Sequence, residues 1–75
     1  MVNPIIQNLE IQHGKPVIAG TRIPVEVIIG SLAGGMSFDE VMAEYSVSLD
    51  DIRHCLTYAT TILQAEQAYP LSDAS

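Results

Sequence analysis

His54 and Cys55 are neighbours, and together they have the residue types of a nucleophile with its base or of a metal site. A reactive thiolate needs an adjacent base or cation, and a metal needs thiolate or imidazole ligands. However, adjacent helical positions point about 100° apart, and Cys55 falls on an apolar stripe with Ile52 and Leu56. We therefore predict that Cys55 lies in the core and that His54 points outward. The sequence predicts no catalytic residue, metal site or cofactor, and an enzyme is the least favoured class.

A second group of side chains has the chemistry to contact nucleic acid. Arginine and histidine bind phosphates or base edges, and hydroxyl groups add weaker hydrogen bonds. Arg53 lies one turn into a predicted helix, where a recognition helix presents its base-reading side chains. A competing interpretation, which we favour, pairs Arg53 with Asp50 three residues earlier. The DNA-binding candidates are Ser48, Arg53, His54 and Thr57.

The charge distribution disfavours tight, autonomous DNA binding. The formal net charge is −6, and residues 1–36 are neutral overall, so residues 37–75 carry the whole excess of acidic groups. Nucleic-acid affinity comes largely from cations that neutralise phosphates. We therefore expect DNA binding to be weak or to depend on a partner, and we expect the acidic half to suit a basic protein.

The length and composition predict one small domain that associates with itself. The chain has 75 residues, of which 48% are hydrophobic, and so short a chain has little core to offset the entropy of folding. One cysteine excludes an internal disulfide. We therefore predict a homodimer or higher homo-oligomer. The sequence begins with no signal-peptide pattern, and its most apolar stretch is too short to cross a bilayer, which predicts a cytoplasmic protein without membrane contact.

The spacing of apolar residues predicts three helices after a β-leaning arm. In the arm, alternation at Leu9 and Ile11, followed by a glycine turn and the pair Val17 and Ile18, predicts two short strands. Helical periodicity, capping residues and glycines then predict the helix limits. The expected organisation is an arm at 1–23, a three-helix unit at 24–68 and a frayed tail at 69–75, with helices at 24–34, at 37–45 and from 48 to about 68.

Two glycine features leave alternatives open. Gly30 and Gly34 have G-x-x-x-G spacing, which in a soluble helix permits close helix packing or marks a C-terminal cap. Gly14 and Gly20 permit turns with positive φ, so the stiff segment between them is able to brace the first helix. Alternatively, Arg22 makes a bidentate contact to a carboxylate across an interface.

The segment GKPVIAGTRIPV at residues 14–25, with LAGGMS at 32–37, EY at 44–45 and LDDIRHCLTYA at 49–59, closely resembles the bacterial and archaeal family called domain of unknown function 433. The resemblance spans roughly residues 5–62. It implies a mainly α fold, a three-helix bundle of the homeodomain-like or winged-helix-like helix-turn-helix type, preceded by a short N-terminal β segment.

The same resemblance implies a role in a toxin–antitoxin pair. Members of the family look like antitoxins that neutralise a PIN-like ribonuclease encoded beside them, which makes such a toxin the expected protein partner. The alternatives are a free-standing DNA-binding regulator and an oligomerisation module with no nucleic-acid role. The family signature supplies the candidates for a partner or dimer interface, which are Gly14, Lys15, Pro16, Val17, Ile18, Gly20, Thr21 and Arg22.

Overall fold

The computed structural model describes residues 3–65 of the chain. Its elements, in chain order, are strands β1 and β2 and helices α1, α2 and α3, with a 3-10 turn between the strands. Their bounds are Ile5–Ile6 for β1, Gln12–Gly14 for the 3-10 turn, Val17–Ile18 for β2, Val25–Ala33 for α1, Phe38–Tyr45 for α2 and Leu49–Ala65 for α3. The prediction of a mainly α bundle preceded by a short β segment is confirmed.

The N-terminal strands are shorter than predicted, and the first lies earlier in the chain. β1 and β2 pair antiparallel, with Ile5 opposite Ile18. The strand predicted at Leu9 and Ile11 is wrong, because the Asn8 side chain accepts a hydrogen bond from the Glu10 amide at 2.8 Å and the Ile11 amide donates to the Asn8 carbonyl at 2.8 Å. This turn reverses the chain, and Leu9 is left 85% exposed.

Local sequence signals explain where the helices begin and end. Pro24, whose fixed φ suits the position before a helix, precedes α1, and α1 ends at Gly34, whose amide donates to the Gly30 carbonyl at 2.9 Å. The capping box predicted at Ser37 and Glu40 is present, with both reciprocal hydrogen bonds. Ser46 closes α2 in the left-handed conformation at φ 55°.

The core lies where the three helices meet the inner face of the β1–β2 pair. Ile28 of α1, Val41 of α2 and Ile52 of α3 are completely buried, so each helix contributes the centre of its apolar face. Among residues 3–65 every buried side chain is hydrophobic; the full set is Ile5, Val17, Ile18, Val25, Ile28, Val41, Val47, Ile52 and Cys55.

The third helix extends beyond this core. By helical spacing Ile62 and Leu63 continue the apolar stripe of Ile52 and Cys55, but they are 40% and 68% exposed. α3 has 17 residues and α1 has 9, which correspond to about 26 Å and 14 Å at the rise of an α-helix. The last turns of α3 therefore reach beyond the buried core, and their apolar side chains stay exposed. The end predicted near Ala68 lies outside those residues.

None of the helices within residues 3–65 is long and apolar enough to cross a membrane.

Candidate partner-binding surfaces

The signature segment joins the β arm to α1 through backbone and hydroxyl hydrogen bonds. The Val25 amide donates to the Pro16 carbonyl at 2.9 Å. The Thr21 hydroxyl donates to the Ile18 carbonyl at 2.8 Å and accepts from the Ile23 amide at 3.0 Å. Thr21 thus closes the turn that contains Gly20, whose φ of +82° favours glycine. The segment holds the first turn of α1 against the strands.

The interface candidates in this segment differ in exposure. Val17 and Ile18 are 0% and 3% exposed, so their side chains belong to the core and the expectation that they form an interface is corrected. Lys15 is exposed, and its Nζ lies 2.7 Å from Glu26 Oε2 on α1. The Arg22 carbonyl accepts a hydrogen bond from the Gln12 side chain at 3.2 Å, and Arg22 itself is exposed. The surface that the signature offers is therefore polar and lies around Lys15 and Arg22.

The remaining interface candidates act through the backbone. Gly14 has a φ of +86°, and a Cβ there would lie 3.1 Å from Leu9 Cδ2. Pro16 is half-buried and supplies the carbonyl that accepts from α1. Both residues shape the arm, and neither adds a functional group to its surface.

The four DNA-binding candidates divide into one residue that caps α3 and three residues that share an exposed face of this helix. The Ser48 amide donates to Asp51 Oδ2 at 2.9 Å, and the Asp51 amide donates to Ser48 Oγ at 3.0 Å, so Ser48 is engaged in starting the helix. Arg53, His54 and Thr57 are exposed and share one face of α3 by their spacing. The structure thus groups three of the four candidates.

Two of these three candidates face the N-terminal arm. His54 and Thr57 line a shallow cleft of about 180 Å³ with Asn3, Pro4 and Ile5. The favoured ion pair between Arg53 and Asp50 does not form, since Lys15–Glu26 is the one ion pair found in residues 3–65. The Arg53 guanidinium is thus exposed without an acidic partner in this part of the chain.

Cys55 has the surroundings of a core residue. Its side chain is completely buried, and burial together with the negative charge of Asp51 raises the pKa of the thiol from 9.0 to about 11. Such a thiol is protonated at neutral pH and is a weak nucleophile. The predictions that Cys55 is buried and that His54 points outward are confirmed. Within residues 3–65 no three histidine, cysteine or carboxylate side chains converge in a way that would hold a metal ion.

Residues 39–51, which we call the acidic segment, run from α2 into the first turn of α3. The segment contains five carboxylates and no lysine, arginine or histidine. Glu40 and Asp51 serve in capping boxes, which leaves Asp39, Glu44 and Asp50 exposed and outside the ion pair found in residues 3–65. These three exposed carboxylates give the acidic segment a negative charge that is available to a partner.

A second surface, which the sequence did not predict, is an apolar groove between α1 and the end of α3. The groove has a volume of about 470 Å³. We call it the α1–α3 groove; its walls are formed mainly by Val25, Ile29 and Gly30 of α1 and by Ala59, Ile62 and Leu63 of α3. The sequence did contain a signal for this groove, because the apolar stripe of α3 is longer than α1, the helix that packs against it.

The sequence over residues 5–59 matches the family described as protein of unknown function (DUF433). The chain belongs to this family. A crystal structure of another DUF433 member, from Anabaena variabilis, is similar to this DUF433 chain, with a TM-score of 0.76 and 25% sequence identity over 84% of it. The chain spans 63% of the length of that relative. No curated protein matches the sequence.

Proposed function

We propose that this DUF433 protein is a non-enzymatic, antitoxin-like regulator that works as a homodimer and binds a PIN-like ribonuclease in the cytoplasm. The observation that carries the proposal is the acidic segment, in which Asp39, Glu44 and Asp50 are exposed and take no part in the one ion pair of residues 3–65. A ribonuclease that binds RNA presents a basic surface, because it must hold phosphates. An acidic protein surface is complementary to it and competes with RNA for the same cations.

The buried, protonated thiol supports a binding role over a catalytic one. Cys55 is completely buried and its pKa is raised to about 11, so the strongest potential nucleophile of the chain has neither access to a substrate nor charge at neutral pH. The exposed functional groups include instead the carboxylates of the acidic segment and the guanidinium of Arg53, which act well as recognition groups.

The test is inhibition of a PIN-like ribonuclease from the same organism, measured with purified components. We expect stoichiometric inhibition of RNA cleavage, and an association rate that falls about tenfold or more as the salt concentration rises from low to physiological values. The double variant Glu44→Gln, Asp50→Asn removes two charges that the capping boxes do not use, and it should lower the association rate. Glu10→Gln, a matched change in the arm, should not.

Full ribonuclease activity at saturating concentrations of this protein would overturn the proposal. If inhibition occurs but the double variant and Glu10→Gln associate at the same rate, the partner binds elsewhere and the assignment to the acidic segment fails.

Operator binding by the complex is a second candidate, favoured by one observation. Arg53 is exposed beside Thr57 on α3 and forms no ion pair with Asp50 within the described residues. Asp50 and Asp51 nonetheless repel phosphates nearby, so we expect the protein alone not to shift its own upstream DNA in a gel. The complex with the ribonuclease should shift that DNA, and Arg53→Ala should abolish the shift. A shift by the protein alone would instead identify a free-standing regulator.

A further inference from the structure

We infer that the α1–α3 groove is the surface through which two copies of this chain associate, with Ile62 and Leu63 of each copy seated in the groove of the other. The inference rests on the proposed homodimer and names its surface. Its first support is exposure: Ile62 and Leu63 are 40% and 68% exposed, although burying a side chain of this kind stabilises a protein substantially. The two residues are adjacent in the last turn of α3, across the groove from α1.

Gly30 is the second, independent observation. It lies inside α1, where glycine is less favourable than alanine, and a Cβ built on it would meet nothing within 4 Å. Packing within the described residues therefore gives no reason for a glycine at this position. A backbone or side chain that approaches α1 closely from outside supplies the reason, because it would occupy the space of a Cβ.

The shape of the surface indicates a second copy as the occupant. In a two-fold dimer one patch must be complementary to itself, with a projection and a depression on the same surface. Here the groove is lined by small residues at Gly30 and Ala59 and by large, exposed apolar side chains at Ile62 and Leu63. Each copy thus offers both halves of the contact.

The charges around the groove permit such a contact. Glu26 is the charged residue of its lining, and its carboxylate is already paired with Lys15 at 2.7 Å. The free carboxylates of the acidic segment do not line the groove. Two copies of an acidic protein can therefore meet here without placing unpaired charges against each other. A small ligand is less well served, because pockets of this size select ligands by several directed polar groups, and the two polar side chains of this lining are Tyr58 and the paired Glu26.

The experiment is sedimentation equilibrium of the full chain over about 1–100 µM, the range in which micromolar dimers dissociate. The wild type is expected to be dimeric. Leu63→Gln replaces an exposed apolar side chain with a polar one. Because a two-fold dimer contains this contact twice, the loss of binding free energy is doubled, and the dimer Kd should rise by about 100-fold or more. Leu9→Gln is the matched control, since Leu9 is 85% exposed and lies outside the groove; its Kd should equal that of the wild type.

Gly30→Gln distinguishes lost association from lost folding. Glutamine is a better helix former than glycine and there is open space for its Cβ in one chain, so this variant should unfold at a temperature no lower than the wild type, measured by circular dichroism at a concentration where both are monomers. Its dimer Kd should nevertheless rise, because the new side chain fills the groove.

The outcomes separate the two claims. Dimers of the wild type, Leu9→Gln, Leu63→Gln and Gly30→Gln with equal Kd would overturn the groove assignment and leave the homodimer standing. A wild-type mass of one subunit throughout would overturn both. Ribonuclease inhibition is measured separately, so its success or failure is not confused with either result.

Discussion

The Nζ of Lys15 lies 2.7 Å from Oε2 of Glu26 and links the family signature to the first turn of α1. Both side chains remain more than half exposed, at 52% and 64%, so water screens the attraction and such a pair contributes at most about 1 kcal/mol. Close by, the part-buried hydroxyl of Thr21 makes two hydrogen bonds to the backbone. Both contacts lie between Lys15 and Glu26 in the sequence, but the exposed ion pair is expected to be the weaker.

This comparison gives the first prediction. Thr21→Val keeps the shape of the side chain and removes both hydrogen bonds, which leaves the Ile23 amide and the Ile18 carbonyl each with one partner fewer. We expect the free energy of unfolding to fall by about 1–3 kcal/mol. Lys15→Met should lower it by less than about 1 kcal/mol. Urea titrations of both variants measure the difference; a larger loss for Lys15→Met would show that the ion pair dominates.

The second prediction concerns the start of α3. Ser48→Ala removes the side-chain acceptor of the Asp51 amide and should cost about 1 kcal/mol of stability. Ser48→Asp retains a good N-cap and should unfold within about 0.5 kcal/mol of the wild type. Equal losses for the two variants would mean that Ser48 contributes something other than its cap.

The buried thiol predicts a pH dependence. The pKa of Cys55 is raised from 9.0 to about 11 in the folded protein, so between these values the unfolded chain releases a proton that the folded chain retains. Ionisation then favours the unfolded state. The stability attributable to Cys55 is thus unchanged below pH 9 and lost as the pH rises toward 11, by on the order of 2 kcal/mol.

The measurement is the difference in unfolding free energy between the wild type and Cys55→Ala from pH 7 to 11. Subtracting the variant removes the titration of tyrosine and lysine, which both proteins share. This difference should be constant near neutral pH. Above pH 9 the unfolding free energy of the wild type should fall relative to that of Cys55→Ala. A difference that stays constant up to pH 11 would show that the thiol ionises as readily in the folded chain as in the unfolded one.

Salt should act in opposite directions on the two proposed associations. Each copy carries a formal charge of −6, so two copies repel, and added salt should leave their dimer unchanged or tighten it because it screens that repulsion. Binding of a basic ribonuclease to the acidic segment should weaken under the same change. Sedimentation of the protein alone and titration of the ribonuclease, both at low and physiological salt, test this. A dimer that dissociates with salt would indicate a contact dominated by opposite charges.

The sequence predicted the features that depend on local chemistry. The capping box at Ser37, the glycine end of α1 and the buried position of Cys55 each follow from a few neighbouring residues, and each is found in the structure. The strand expected at Leu9 is absent because the side chain of Asn8 makes a turn there. A polar side chain that bonds to its own backbone competes with strand pairing, and the alternation of apolar residues does not record this competition.

The α1–α3 groove was missed for a different reason. Periodicity shows which face of α3 is apolar, and it placed Ile52, Cys55 and Leu63 on one stripe. It does not show how far along the helix a partner extends, since that depends on the lengths and crossing of two helices that are distant in sequence. Ile52 and Cys55 lie beside the core, whereas Leu63 lies beyond it and is 68% exposed. The Arg53–Asp50 ion pair was predicted only from the spacing of the two residues. Such spacing allows an ion pair to form, but between exposed side chains the pair contributes little stability.

The most direct test of the central claim, that this chain acts by binding a basic ribonuclease, is its purification under native conditions at low salt from its own cells, followed by elution with a salt step. We expect a basic PIN-like ribonuclease to co-purify in stoichiometric amount, to leave the column in the salt step, and to regain RNA cleavage once it is separated. Recovery of this protein with no companion other than further copies of itself would contradict the claim and identify a self-associating module instead.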